Sequence, residues 1–161
     1  MSQIDDAVAL FAEGFNCAQA VLTAFGPAMG IERDACLRIA AGFGGGMGRS
    51  SEACGAVTGA LMVIGLRYGS PMAGDREAKD RTYGMVREFI ARFRARNGSI
   101  NCTGLLGVDL GTPEGFQAAM ARKIHTDVCP KFVRDAAEML DELFGSYAAC
   151  SQMPCDTGSV K

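Results

Sequence analysis

The chain has 161 residues, a formal net charge of −2 and 48% hydrophobic residues. That is enough chain for one domain to bury a core without a disulfide or metal merely to fold, and the near-neutral charge excludes the strongly basic surface of a nucleic-acid-binding domain. With 21 Gly, 9 Met and no Trp, the composition favours close backbone approaches and adaptable packing over large aromatic anchors.

The start, MSQIDDAVALF, has no positive n-region and carries two acids ahead of a short apolar run, so it does not read as a secretory signal. In the first predicted helix Ile4, Val8 and Phe11 recur at helical spacing behind Asp5 and Asp6, and Gly14 ends it. Asn16 is placed to cap a second helix whose stripe is Cys17, Ala20, Val21, Ala24 and Phe25, stopped by Gly26–Pro27 and Gly30. A third helix is expected from Glu32 to about Ala41, with Cys36 on its apolar stripe beside Ile39 and Ala40 and therefore in the core.

GFGGGMG follows, a loop in which the backbone takes positive φ or approaches something closely. It lacks G-K-[ST] and no strand precedes it, so neither a P-loop nor a Rossmann context holds; its expected role is to let the chain pack against the cysteines. Out of it grows an apolar helix from about Ser51 to Tyr68, the expected centre of a bundle, with Gly55 and Gly59 one turn apart. Its charge-free run Ala53–Leu66 is too short to span a bilayer comfortably, so no membrane insertion is expected.

Asp75 to Arg96 reads as a long amphipathic helix with Tyr83, Val86, Phe89, Ile90 and Phe93 inward, its arginines interleaved with acids as on a solvated face. Asn97–Gly98 breaks it. The short segment CTGLLG comes next, then a helix from Thr112–Pro113–Glu114 to about His125, where a positive charge suits the helix dipole. The last helix starts near Cys129–Pro130 and runs through Leu140 and Leu143 to Gly145. No alternating strand pattern, repeat or linker appears. The expected fold is all-α, one compact helical bundle over residues 1–147 with short glycine-rich connections, followed by a flexible tail over 148–161.

Of the seven cysteines, four sit at predicted helix starts: Cys17 after Asn16, Cys54 after Ser50–Ser51, Cys102 after Asn101, and Cys129 before Pro130. A helix start offers unpaired N–H groups and partial positive charge, which favour a thiolate. A cytoplasmic location is expected, and in a reducing compartment such cysteines point to metal or redox chemistry rather than structural disulfides. Cys54–Gly59 forms a CGAxxG motif, Cys17 lies in FNCAQAVL, GGGMG precedes the motif, and Cys102 opens CTGLLG. With these residues the chain, from about Phe11 to Leu143, resembles the C_GCAxxG_C_C family of four-cysteine proteins. The resemblance implies a redox role for Cys17, Cys54, Cys102 and Cys129, a redox partner protein, and a functional link to a transporter; it says nothing of Cys36, Cys150 or Cys155.

The first expectation for the four cysteines is an iron–sulfur cluster used in electron transfer, assembled by tertiary structure because the close C-x₂-C spacing of ferredoxins is absent. The alternative is thiol–disulfide exchange through Cys54, with Arg49 nearby in sequence to lower its pKa and another of the four resolving. Zinc in an interaction module is the third reading, although C-x₂₋₄-C knuckles are missing. No C-x-x-C-H exists for covalent haem, and His125, the only histidine, has no identifiable co-ligand. Cys150 and Cys155 fall in the polar tail and are expected to be incidental. A homodimer suits the glycine-rich surfaces.

Overall fold

The computed structural model describes residues 2–151, with side chains described through residue 146. The elements in order are α1 (Gln3–Ala12), α2 (Cys17–Phe25), α3 (Arg33–Ala40), the single turn α4 (Gly44–Met47), α5 (Gly55–Tyr68), α6 (Arg76–Asn97), α7 (Cys102–Leu106), α8 (Pro113–Ala121), α9 (Ile124–Asp127) and α10 (Cys129–Ser151). Short 3₁₀ turns at Gly26–Met29 and Ala41–Phe43 link α2 to α3 and α3 to α4. The fold is all-α, and among the described residues the only extended pairing is an isolated antiparallel bridge between Ala53 and Asn101.

Local chemistry sets most of the boundaries. The side chains of Ser2, Asn16, Asp75 and Thr112 each accept a backbone N–H from the first turn of α1, α2, α6 and α8. Gly98 and Gly107 end α6 and α7 in the left-handed conformation, which satisfies late carbonyls of those helices.

The centre of the bundle is the pair α2 and α5. Helix α1 packs on α2, α6 on α5, and α10 crosses α1, α2, α5 and α6. Phe25, Phe89 and Phe93 are fully buried, and Phe25 meets Phe144 edge-on at 6.3 Å between ring centroids. Burying each such ring contributes about 1.5–3 kcal/mol. Cys36 is fully buried under Gly26, where its thiol faces the Ile31 carbonyl, and burial raises its pKa.

Several expectations are corrected. α5 begins at Gly55 instead of Ser51, because Ser51 sits in a left-handed turn and Ala53 pairs with Asn101 in an antiparallel bridge. The helix expected to reach His125 stops at Ala121, and Lys123 at φ 51° separates α8 from α9, so His125 lies inside α9. Tyr83 is 52% exposed, with Lys79 over its ring, not on the inner face. The α6 arginines do more than face solvent: Arg92 and Arg96 pair with Asp135, Glu138 and Glu142 of α10, at about 0–1 kcal/mol per exposed pair. Helix α10 continues through Gly145 to Ser151, so the stretch read as tail begins as helix. The side chain of Cys150, and residues 152–161 with Cys155, lie outside the described residues. Among the described residues, no helix is long and apolar enough to cross a membrane.

Candidate functional site

The structure brings Cys17, Cys54, Cys102 and Cys129 onto the wall of one cavity of about 600 Å³. Cys17 is the first residue of α2, Cys102 of α7 and Cys129 of α10, while Cys54 is the residue from which α5 starts. All four are free thiols; Cys54 is 2% exposed and Cys17 the most open.

The CGAxxG motif explains how Cys54 reaches Cys17. A Cβ at Gly55 would stand 2.9 Å from the Ala18 nitrogen, and one at Gly59 would stand 2.9 Å from the Ala18 oxygen. Real side chains do not approach backbone so closely. Glycine at both positions therefore lets α5 lie directly on the backbone of α2, which sets the two helix starts, and their thiols, side by side. Asn16 fixes the α2 end of this contact. Its side chain accepts the Gln19 N–H at 2.9 Å, Gln19 returns a bond to the Asn16 N–H at 3.0 Å, and the Asn16 amide donates to the Ala41 carbonyl at 3.1 Å. An Asn16→Ala variant should lose about 1–2 kcal/mol of stability, read as a lower urea midpoint with an unchanged slope.

Cys102 arrives by a different route. The Cys54 N–H donates to the Ile100 carbonyl at 2.8 Å, and the Cys102 N–H donates to the Glu52 carbonyl at 2.7 Å. These bonds flank the Ala53–Asn101 bridge and hold the two cysteines on adjoining extended segments. Ser51 locks the corner: its carbonyl accepts from the Thr103 hydroxyl at 3.0 Å, and its buried hydroxyl accepts the Leu110 N–H at 3.0 Å. Sequence reasoning placed Ser51 only at the start of the apolar helix, because its partners lie more than fifty positions away.

The glycine-rich segment forms a wall of the same cavity through Gly44, Gly45 and Gly48. Its backbone winds left-handed: φ is positive at every residue from Gly45 to Arg49 and again at Ser51. Met47, Arg49 and Ser51 adopt this conformation without being glycine, at about 1–2 kcal/mol each. The turn is held by bonds from the Arg49, Ser51 and Glu52 N–H groups to the Gly44, Gly45 and Gly46 carbonyls, each 3.1 Å.

Electrostatics single out Cys54. Its thiol is held well below the ordinary value, first by a hydrogen bond from Cys102, then by one from Cys17, and further by the Ala56 and Val57 N–H groups, against the cost of burial. Cys102 and Cys17 are pushed up, Cys102 chiefly by its bond to Cys54, Cys17 by its bonds to Cys129 and Cys54. Cys129 is lowered by Cys17. Cys17 carries one proton and cannot donate to both Cys54 and Cys129 at once, so Cys54, with its two backbone donors besides, is the thiol of the set most strongly favoured toward ionisation. The Arg49 guanidinium, expected to lower this thiol, instead lies over the Phe116 ring at 4.6 Å from its centroid.

The rest of the wall was not foreseen as a site. Leu105, Leu106, Leu110, Phe116 and Met120 give it an apolar side, and His125, its ring 4.6 Å from that of Phe11, reaches it from α9.

Four thiols are suitable donors for zinc or an iron–sulfur cluster. The four thiols act on one another: Cys54 lies between Cys102 and Cys17, Cys17 meets Cys129, and Cys129 in turn feels Cys54 and acts on Cys102. Among the described residues, no group of three or more His, Cys, Asp or Glu side chains is gathered as a metal ion would need.

A family model described as "Putative redox-active protein (C_GCAxxG_C_C)" matches residues 15–143, a span that contains all four of these cysteines. No curated protein and no solved structure matches the chain.

Proposed function

The chain belongs to the C_GCAxxG_C_C family, and from that premise we propose that it is a thiol–disulfide redox protein in which Cys54 is the nucleophile. The observation that carries this reading is the placement of Cys54 with Cys17 and Cys102 on the wall of one cavity, where bonds from both neighbours favour the ionised form of Cys54. Such a cavity has the size of a small-molecule site. A thiolate with thiols in contact can attack a disulfide and then be resolved within the protein. Cys17, the more exposed neighbour, is the resolving thiol, and Cys102 holds Cys54 ionised.

The balance is closed. The Cys54 thiolate attacks one sulfur of a disulfide RSSR′, forming Cys54–S–S–R and releasing R′S⁻. The Cys17 sulfur then attacks Cys54 Sγ, a Cys17–Cys54 disulfide forms, and the Cys17 proton leaves with RS⁻ as RSH. The bound disulfide is reduced by two electrons and the protein dithiol is oxidised by two.

The iron–sulfur centre is the second reading. It is favoured by four thiols lining one cavity with backbone N–H groups on Cys54, and it would take all four as ligands. One preparation separates the readings. Protein purified without oxygen is assayed for iron, sulfide and zinc, its visible spectrum is recorded, and it is then oxidised with one equivalent of a small disulfide and mapped by mass spectrometry. We expect colourless protein and a Cys17–Cys54 disulfide. Stoichiometric iron and sulfide, or an oxidised product without Cys54, would overturn the exchange reading.

A further inference from the structure

The lining of the cavity has a charge pattern that the four thiols do not explain. Among the described residues no aspartate or glutamate touches it, although the chain has 18 of them. Among the described residues Arg49 is its one permanently charged side chain, and His125 lines it beside the cysteines. Among the described residues Arg49 has no carboxylate partner; its guanidinium rests on Phe116 at 4.6 Å. A guanidinium seated over a ring and without a carboxylate partner has N–H groups to offer a planar anion, and arginine binds carboxylates with two parallel bonds. Beside it, Leu105, Leu110, Phe116 and Met120 offer apolar contact, which suits the methylenes and sulfurs of an uncharged middle.

We propose that the cavity selects small disulfides that carry a carboxylate, with Arg49 anchoring the carboxylate and the apolar wall guiding the disulfide toward Cys54. This rests on the exchange reading above and adds the substrate class to it. A small molecule is favoured over a protein disulfide because Cys54 is only 2% exposed, at the wall of a cavity of about 600 Å³. A sulfur on a folded protein surface would have to enter that space with its backbone. The selection is local, since a net charge of −2 disfavours anions at long range.

The test uses three disulfides that differ in charge: dithiodipropionate (anionic), bis(hydroxyethyl) disulfide (neutral) and cystamine (cationic). The rate of protein thiol oxidation by each is divided by its rate with free mercaptoethanol, which removes intrinsic reactivity. We expect the anionic probe to exceed the neutral one by about tenfold, or about 1.4 kcal/mol, with cystamine slowest. Arg49→Gln should bring the anionic-to-neutral ratio close to one, and Arg49→Lys should restore part of it; circular dichroism checks that both variants fold. Equal normalised rates in the wild type, or a ratio that survives Arg49→Gln, would overturn the selection while leaving exchange intact. Faster reduction of the disulfides of insulin than of any probe would also overturn it. No reaction with any of the disulfides would instead sink the exchange reading itself.

Discussion

A Cys54→Ser variant should react with a neutral small disulfide at pH 7 at least about thirtyfold more slowly than the wild type, a loss of about 2 kcal/mol of transition-state stabilisation. The size follows from the other thiols. Cys17 and Cys102 are both pushed above the ordinary thiol value, and each unit of upward shift removes about nine-tenths of the thiolate at neutral pH. With Cys54 gone, Cys17 can donate its hydrogen bond wholly to Cys129 and favour that thiolate, so a slow residual reaction should map to Cys129. The pH profile supplies the sharper readout. A depressed thiol stays ionised as pH falls, so wild-type alkylation at Cys54 should change little between pH 8 and 7, where a thiol of ordinary pKa near 8.5 loses most of its thiolate. Replacing Cys102 by alanine removes the first of the groups that hold Cys54 ionised, and the profile should move to higher pH while the reaction survives. Wild-type kinetics in Cys54→Ser, or an unmoved profile in Cys102→Ala, would show that the reactive thiolate lies elsewhere.

How much of this could be read from the amino acids depends on the range of the interactions involved. Helix starts are set within four residues, so Asn16, Asp75 and Thr112 announced α2, α6 and α8, and the four cysteines could be placed at helix starts. Gly55 and Gly59 announced a close contact without saying with what; Ala18 of α2 is the answer. The start of α5 was misjudged because the bonds that hold residues 51–54 out of the helix are made with residues 100–103, beyond any local pattern. The same holds for Arg49: nearness in sequence to Cys54 suggested an electrostatic partner, but the left-handed turn carries its side chain to Phe116 on α8. The break at Lys123 was hidden too, since a lysine at positive φ leaves no mark such as glycine would. Convergence of the four thiols on one cavity is a tertiary fact, and the acid-free lining could be seen only once that cavity existed.

Gly46→Ala tests whether the glycine-rich turn is a structural requirement or a permissive loop. At φ 71° an alanine is strained whatever the space around it, at about 1–2 kcal/mol. The space is also missing: a Cβ would stand 2.6 Å from the Glu52 nitrogen and 2.8 Å from its oxygen, and both are backbone atoms that no rotamer can move aside. Overpacking of this kind adds about 1–3 kcal/mol. The sum is about 3 kcal/mol, or a melting temperature lower by roughly 6–12 °C for a domain of this size. The loss should extend beyond stability. The Glu52 N–H that the new methyl would displace bonds the Gly46 carbonyl, and the Glu52 carbonyl holds the Cys102 N–H, so the strain enters the segment that keeps Cys102 beside Cys54. A pH profile of Cys54 alkylation shifted upward in Gly46→Ala, below its melting temperature, would tie the turn to the thiolate. A variant as stable as the wild type would mean that the left-handed turn can be given up without cost.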